Sequence, residues 1–419
     1  MKDNELTQKI IARQAKLQQS DLLRKRSSVH LQDQAKLLQN KQHYVNFSSN
    51  DYLGLSREPA VVQALYQGAL KYGVGSTASP LVTGYSPAHS RLEQRLCELT
   101  GHEAAILLCS GFAANNALVK TLFDKSSRVI ADKLIHASII DGLRDSGVQF
   151  KRFHHNDLEH VKTHLTEFSP SALLTESIFS MDGTQAPLIE LSKLCREHGS
   201  WLIVDDAHGF GVIGRRGLGA SQVQDPQEDV PASQHFGLLG QQGLGSTQVK
   251  LETKLPIDAQ VITFGKAMGC QGAALLGSQV FIDFLVANSR HYIYSTALSP
   301  ANAQAALASL ECIVLADNKR QHLHHNILLF RDLCQQAGIE LTDSLTAIQP
   351  VIIGCQQRML EVAEALKQDG FWVGAIRPPT VPKGQARLRI TLTASHQSDA
   401  IQRLVESLSS AISANDVYQ

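Results

Sequence analysis

The stretch WLIVDDAHG, residues 201–209, joins a short apolar run to a polar turn and is the clearest indication of the fold. The run ends at Asp205, and a short apolar segment between turn signals is typical of a buried strand. Similar runs at 104–109, 171–175 and 261–264 alternate with helical stretches. This alternation predicts an α/β fold whose main sheet is mostly parallel and carries helices on both faces.

Two of these strand ends carry residues suited to chemistry, because open α/β sheets bind ligands outside the carboxyl ends of their strands. Asp205 could keep a heterocyclic nitrogen protonated, although a strand-end Asp also commonly caps the next helix. Lys266 ends the segment VITFGK, residues 261–266, and small residues follow it. Most lysines are solvated charges. A sheltered lysine has a lowered pKa and can form a Schiff base with an aldehyde cofactor.

Three further segments beside predicted strand ends could bind a phosphorylated ring. In CSGFAAN, residues 109–115, a helix begins and the backbone N–H groups of Gly111 and Phe112 can receive a phosphate, although an ordinary strand-to-helix turn has the same pattern. His136 could stack on an aromatic cofactor or be a structural histidine. Ser180 could bind the same ligand or bond its own turn. These three segments, Asp205 and Lys266 follow one another along the chain, and each lies beside a predicted strand end. This combination favours a ligand-binding site over separate structural roles.

Composition narrows the class of protein and its partners. The chain has 419 residues, 43% of them hydrophobic, and its 39 Lys and Arg balance 39 Asp and Glu. The balanced charge therefore creates no overall electrostatic attraction to nucleic acid or to an anionic membrane. No apolar run reaches the roughly 18 residues of a membrane span. The seven cysteines are dispersed and never form a C-x-x-C pair, which predicts reduced thiols and no metal site. We expect a cytoplasmic protein with a small-molecule substrate.

The length predicts more than one packed unit. Residues 5–40 contain neither Gly nor Pro and are predicted to be helical, whereas 348–353 and 386–392 are strand candidates near the C-terminus. Residues 219–257 are rich in Gln, Ser and Gly and are predicted to be a long surface insertion. The predicted parts are an N-terminal helical arm (1–45), a large domain (46–294) with that insertion, and a small C-terminal α+β domain (295–419).

From about Arg24 to Thr393 the sequence resembles the α-oxoamine synthases, which are fold type I enzymes dependent on pyridoxal 5′-phosphate (PLP). The resemblance is carried by seven motifs along the chain. They are NFSSNDYLGL (46–55), TGYSPAH (83–89), SGFAAN (110–115), FSMDGTQAPL (179–188), VDDAHG (204–209), TFGK (263–266) and IRPPTVP (376–382).

The resemblance implies a role for each matching residue. Lys266, Asp205 and His136 are the implied catalytic residues: Lys266 forms the Schiff base, Asp205 pairs with the pyridine nitrogen, and His136 stacks on the ring. The other implied PLP-binding residues are Gly111, Phe112, Ser180, His208 and Thr263, with Ser295 or Thr296 from the second subunit of a homodimer. The implied substrate-binding residues are Arg24, His136, Arg377 and Thr380.

Within the family, the 376–382 motif most resembles the members that join L-alanine to a pimeloyl thioester, on coenzyme A or acyl carrier protein, in biotin biosynthesis. Two other interpretations stay open, namely an enzyme that acylates glycine and a PLP-fold protein that binds without catalysis. The chain departs from the family pattern in the length of 219–257 and in Pro80, where Arg or Gly is common.

Overall fold

The structure is a computed structural model that describes residues 4–24, 26–223 and 254–416. Most of the predicted insertion at 219–257 lies outside the described residues. In chain order the first elements are α1 (Glu5–Gln19), β1 (His30–Leu31), β2 (Lys36–Gln39), β3 (Gln42–Phe47), α2 (Pro59–Tyr72), α3 (Pro87–Thr100), β4 (Ala104–Leu108), α4 (Gly111–Leu122), β5 (Arg128–Asp132), α5 (Ala137–Ser146) and β6 (Gln149–Phe153).

The remaining elements complete two sheets and their helices. They are α6 (Leu158–Phe168), β7 (Ala172–Glu176), α7 (Leu188–Glu197), β8 (Trp201–Asp205), β9 (Ala259–Thr263), β10 (Ala273–Gly277), α8 (Gln279–Asn288), α9 (Arg290–Ile293), α10 (Pro300–Val314), α11 (Asp317–Gln336), β11 (Ile348–Gly354), α12 (Gln356–Gln368), β12 (Phe371–Ile376), β13 (Ala386–Thr391) and α13 (Ser398–Asp416).

The larger sheet has seven strands in the order β4-β10-β9-β8-β7-β5-β6. The five strands from β9 to β6 are parallel, and β10 pairs antiparallel with both β9 and β4. All strands predicted for this sheet are present, and the predicted α/β class is confirmed. Because β7, β8 and β9 are parallel neighbours, their carboxyl ends meet at one edge.

Alternate side chains of the parallel strands enter different cores, as the pleat requires. Leu173 packs with α6 and α7 on one face, whereas Leu174 packs with α4 and α5 on the other. Leu202 and Ile203 of β8 divide in the same way. Burial on both faces explains why these strands are continuously apolar rather than alternating.

The second sheet has six strands in the order β1-β2-β3-β12-β13-β11. The helix predicted over 5–40 is correct only for α1, because the chain after it forms β1, β2 and β3. Asn40 and Lys41 both have positive φ and join β2 to β3 as a two-residue hairpin. β3 then pairs in parallel with β12, more than 300 residues later in the sequence. This tertiary pairing overrides the local helical tendency.

One large apolar cluster reaches from the larger sheet into the second sheet and includes Phe264 and Leu388. Two arginines of β13 add polar links, since Arg387 Nη1 lies 2.6 Å from Asp182 Oδ1 and Arg389 Nε donates to the carbonyl oxygen of Ser180 at 2.7 Å. The division at residue 295 stays a prediction. Among the described helices, none combines the length and the apolar character needed to cross a bilayer.

Candidate active site

A cavity of about 420 Å³ lies where β7, β8 and β9 end and α4 begins. It brings together residues from widely separated motifs of the sequence. Those of its lining residues that were predicted from the sequence are Gly111, Phe112, His136, Asp205, His208, Thr263 and Lys266. Its volume lies within the roughly 300–1,000 Å³ of small-molecule pockets.

Lys266 follows β9 and is partly buried, with its Nζ 3.4 Å from Thr263 Oγ1. Removal from water lowers the pKa of the Lys266 amine, while the carboxylates of Asp205 and Glu176 oppose that shift. A lowered pKa increases the fraction of neutral amine, which is the form that attacks a carbonyl or accepts a proton.

Asp205 is the last residue of β8, and its side chain is fixed by two neutral donors. Asn115 Nδ2 donates to Oδ2 at 2.7 Å, and the backbone N–H of Ala207 donates to Oδ1 at 3.0 Å. The same Asn115 amide also donates to Ser138 Oγ at 2.9 Å. α4 and α5 therefore jointly hold the carboxylate at the strand end.

His136 caps α5, and its protonation follows from its hydrogen bonds. The backbone N–H of Ser138 donates to Nδ1 at 3.3 Å, and Ser138 Oγ lies 2.7 Å from the same nitrogen. Burial lowers the pKa of His136. The ring is thus neutral, with Nδ1 accepting and the proton on Nε2. It can donate one hydrogen bond from Nε2.

His208 is buried against Tyr52, whose Oη lies 2.6 Å from His208 Nδ1. Burial raises the pKa of the Tyr52 phenol, so it stays protonated. Burial, followed by the positive charge of Lys266, holds the pKa of His208 well below its usual range. The phenol therefore donates to Nδ1, and His208 keeps its proton on Nε2.

The start of α4 offers backbone donors to the cavity. The first bond within the helix comes from Ala114 N–H, and Ser110 Oγ receives Ala113 N–H at 3.2 Å. The N–H groups of Gly111 and Phe112 precede these bonds and suit an anion. A Cβ on Gly111 would lie 2.4 Å from Thr263 Cγ2, so glycine is what lets α4 begin this close to β9.

Six predicted site residues lie outside the cavity lining. Ser180 contacts Arg389 through its backbone oxygen, and Ser295 and Thr296 are exposed near the cavity, where the Thr296 carbonyl oxygen accepts from Cys109 Sγ at 3.3 Å. The substrate candidates form a separate group: Arg24 Nη2 donates to Thr380 Oγ1 at 2.9 Å, and Arg377 Nη2 donates to the carbonyl oxygen of Leu23 at 3.4 Å.

Several polar residues of the lining were not predicted as site residues from the sequence, among them Glu176 and Asn115. Glu176 is the last residue of β7, and the strand-end rule that found Asp205 would also have found it. Burial, together with the charge of Asp205, raises the pKa of Glu176 well above its usual range. Glu176 Oε1 and Asn115 Oδ1 are buried without a hydrogen-bond partner, so the cavity has acceptors or donors to offer a ligand.

Comparison with known proteins supports a common family. The family model "Aminotransferase class I and II" matches residues 42–408. A PLP- and myriocin-bound variant of serine palmitoyltransferase from S. paucimobilis superposes with a TM-score of 0.84 at 26% identity, covering 99% of this chain and 100% of that chain. Sphingomonas wittichii serine palmitoyltransferase gives the same four values. For 8-amino-7-oxononanoate synthase from Francisella tularensis the TM-score is 0.73 at 30% identity, with 90% and 99% coverage.

Proposed function

The chain belongs to the class I and II aminotransferase family, and we propose that it is an 8-amino-7-oxononanoate synthase. The chain is a PLP-dependent enzyme resembling the α-oxoamine synthases. The proposed reaction condenses L-alanine with a pimeloyl thioester, releasing carbon dioxide and the thiol. The observation that carries the proposal is the meeting of Lys266 and Asp205 in one cavity that also receives the start of α4.

The residues of the cavity fit PLP. The N–H groups of Gly111 and Phe112 suit the phosphate, and Asp205, which accepts from the neutral donors Asn115 and Ala207, suits a protonated pyridine nitrogen. Lys266 has the lowered pKa that Schiff-base formation needs. We assign the phosphate to Gly111, Phe112 and Thr263, and the phenolic side of the ring to His208 and Ser180.

When bound, PLP supplies an aldehyde that takes up the amino group of the substrate and a ring that accepts the electron pair left at Cα. Lys266 Nζ, as a neutral amine, would remove the Cα proton of alanine. Asp205 would hold the protonated ring nitrogen, and Asn115 keeps Asp205 in place. His136 Nε2 can donate to the thioester oxygen as negative charge develops on it.

The acyl chain of a pimeloyl thioester ends in a carboxylate, which we assign to Arg377. Arg377 is partly buried, and its Nε is a buried atom without a hydrogen-bond partner. Its Nη2 contacts the segment that carries Arg24, and Arg24 contacts Thr380. A guanidinium binds a carboxylate through two parallel hydrogen bonds, so an unpartnered Nε suits such a ligand. The 376–382 motif supports the same substrate.

We also propose a homodimer in which Ser295 or Thr296 completes the phosphate site of the partner subunit. Both residues are exposed in a single chain, and so are two large neighbours: Phe112 is 54% exposed and Tyr294 is 71% exposed. Apolar groups of this size beside a cofactor cavity are typical of a surface that another subunit covers.

A second candidate is serine palmitoyltransferase activity, which is favoured by superpositions covering 99% of this chain with TM-scores of 0.84. Activity assays separate the candidates. Alanine, serine and glycine are each tested with pimeloyl-CoA, pimeloyl-acyl carrier protein, palmitoyl-CoA and acetyl-CoA. Mass spectrometry of the products should show 8-amino-7-oxononanoate as the main product. Preference for serine with palmitoyl-CoA, or for glycine with acetyl-CoA, would replace the proposal by that activity.

A further inference from the structure

A cluster of metal-ligating side chains lies between β6 and α6, outside the cavity. His154, Asp157 and His160 each present a ligand atom, and these three atoms lie within 4.8 Å of one another. The rings of His154 and His160 are close, with centroids 4.4 Å apart. None of the three residues lines the cavity assigned to PLP.

The hydrogen bonds of the cluster orient its side chains. Asp157 caps α6, because its Oδ1 accepts the backbone N–H of His160 at 2.9 Å. Its Oδ2 lies 3.6 Å from His154 Nδ1. The backbone N–H of His154 donates to His160 Nδ1 at 3.1 Å, so binding of a metal through that nitrogen requires this hydrogen bond to open. The cluster thus offers one carboxylate oxygen and two imidazoles on a short, hydrogen-bonded loop.

The neighbouring histidine, His155, makes its hydrogen bonds outside the cluster. His155 Nδ1 lies 3.0 Å from Asp132 Oδ1, and its Nε2 lies 2.7 Å from Thr184 Oγ1. His155 also packs edge-on against Phe179, with ring centroids 4.4 Å apart. His155 fixes the loop against the sheet, whereas His154 is exposed and Asp157 and His160 are partly buried.

We propose that His154, Asp157 and His160 bind a divalent transition-metal ion of the Zn²⁺ class, with water completing a tetrahedral shell. Two imidazoles and a carboxylate suit Zn²⁺, whereas Mg²⁺ and Ca²⁺ require oxygen ligands. Bonds of about 2.0–2.1 Å place tetrahedral ligands about 3.3 Å apart, so the three atoms must close from their present separations. The side chains of His154 and Asp157 are 68% and 40% exposed, which leaves room for that rotation.

A bound ion would join the end of an edge strand to the first turn of the next helix. β6 is the last strand of the larger sheet, and Phe153 is its final residue. Asp157 and His160 lie at the N-terminus of α6. The ion would therefore act as a clamp at the sheet edge, separate from the chemistry of the cavity.

Equilibrium dialysis of the PLP-loaded protein against Zn²⁺ tests the site. The wild type should retain one more Zn²⁺ per chain than the His154→Ala/His160→Ala double variant, and thiols elsewhere contribute equally to both. His198→Ala, which removes an exposed histidine outside the cluster, should match the wild type. Equal Zn²⁺ content in wild type and double variant would overturn the proposal.

Asp157→Asn provides a sharper test, because asparagine caps a helix about as well as aspartate but is a weaker ligand. Losing an outer-shell partner alone costs about 10–100-fold in metal affinity, so we expect Zn²⁺ binding at least about tenfold weaker with an unchanged melting temperature in metal-free buffer. Co²⁺ added to the wild type should give the intense visible bands of tetrahedral coordination. Undiminished affinity in Asp157→Asn, or Co²⁺ bands that survive in the double variant, would contradict the assignment.

Discussion

Lys266 lies where β9 ends, and its amine is partly withdrawn from water by the surrounding cavity. Its lowered pKa has burial as the main cause, and the two acidic strand ends, Asp205 and Glu176, limit the shift. The balance matters for the proposed reaction, in which the same amine must be neutral to react and must later hold a proton. The position in the sheet, rather than a special residue type, produces this reactivity.

Replacing Lys266 by alanine should abolish turnover and the visible absorbance of protein-bound PLP, since among the described residues no other lysine lines the cavity. Absorbance spectra and a product assay would check this. Lys71→Ala removes an exposed lysine of α2 and should leave both unchanged. A yellow, active Lys266→Ala protein would refute the role of Lys266.

Arg377→Ala should raise the KM for pimeloyl-CoA by about 10–100-fold, the equivalent of roughly 1.5–3 kcal/mol for hydrogen bonds to a charged group. Octanoyl-CoA, which lacks the terminal carboxylate, should show no such change. Steady-state kinetics with both thioesters gives the comparison, with Arg403→Ala on the exposed face of α13 as the control. An equal rise in KM for both thioesters would mean that Arg377 contributes to folding of the arm rather than to carboxylate binding.

Glu176 should make the cofactor-free protein less stable as the pH rises. Its folded-state pKa lies well above the ordinary 4.5, so the unfolded chain releases its proton first and stability falls from about pH 4.5 upward. Every tenfold difference in proton affinity between the folded and unfolded chain is equivalent to about 1.4 kcal/mol of stability. In urea unfolding at pH 5 and pH 8, Glu176→Gln should lose less stability than the wild type. A parallel loss in both proteins would exclude this effect.

The residues of the site were predictable to the extent that each follows a strand of the larger sheet. Asp205, Lys266 and the start of α4 satisfy that rule, and they do line one cavity. Tyr52 and Arg389 could not be found in this way, because their places depend on contacts across long stretches of chain. Tyr52 meets a histidine 156 residues away, and Arg389 reaches Ser180 from the second sheet.

Among the elements, the contact between α4 and β9 determines the geometry of the proposed phosphate site. Gly111 begins the helix against Thr263, the last residue of β9. A side chain at position 111 must displace either the helix or the threonine, and the backbone donors would move with the helix.

Gly111→Ala should weaken PLP binding by about tenfold or more, because its Cβ would lie 2.4 Å from Thr263 Cγ2. Titration of the cofactor-free protein with PLP, followed by absorbance, measures the change. Adding Thr263→Ser removes the clashing methyl group but keeps the hydroxyl, so the double variant should recover affinity. Gly75→Ala, where a Cβ would meet nothing within 4 Å, is the control. Failure of the rescue would show that the contact with Thr263 is not the cause.

Most strands of the larger sheet were predictable because burial on both faces makes them continuous apolar runs, whereas the edge strand β6 (QFKRF) is largely exposed and was not predicted. The N-terminal strands were not, since 36–47 are Gln- and Lys-rich and lack a distinct period-2 pattern. Their β structure comes from pairing with each other and with β12, which no local window contains. The segment 376–382 was found only through its resemblance to known proteins.

At the scale of the whole molecule, the proposed dimer makes each site depend on two chains. Mixing Lys266→Ala subunits with Ser295→Ala/Thr296→Ala subunits should produce heterodimers in which one site carries both defects and the other neither. We expect the mixture, after reversible dissociation, to exceed the activity of either parent. Activity equal to the average of the parents would place Ser295 and Thr296 outside the partner's site.

The parallel pairing of β3 with β12 also governs the order in which the protein can be assembled. On the ribosome, residues 42–47 emerge long before 371–376, their sheet neighbour, and loop closure over such a span is slow. The nascent chain must therefore carry β3 with one edge unpaired through most of its synthesis. A truncated chain that lacks β12 should for the same reason expose the unpaired edge of β3 and aggregate.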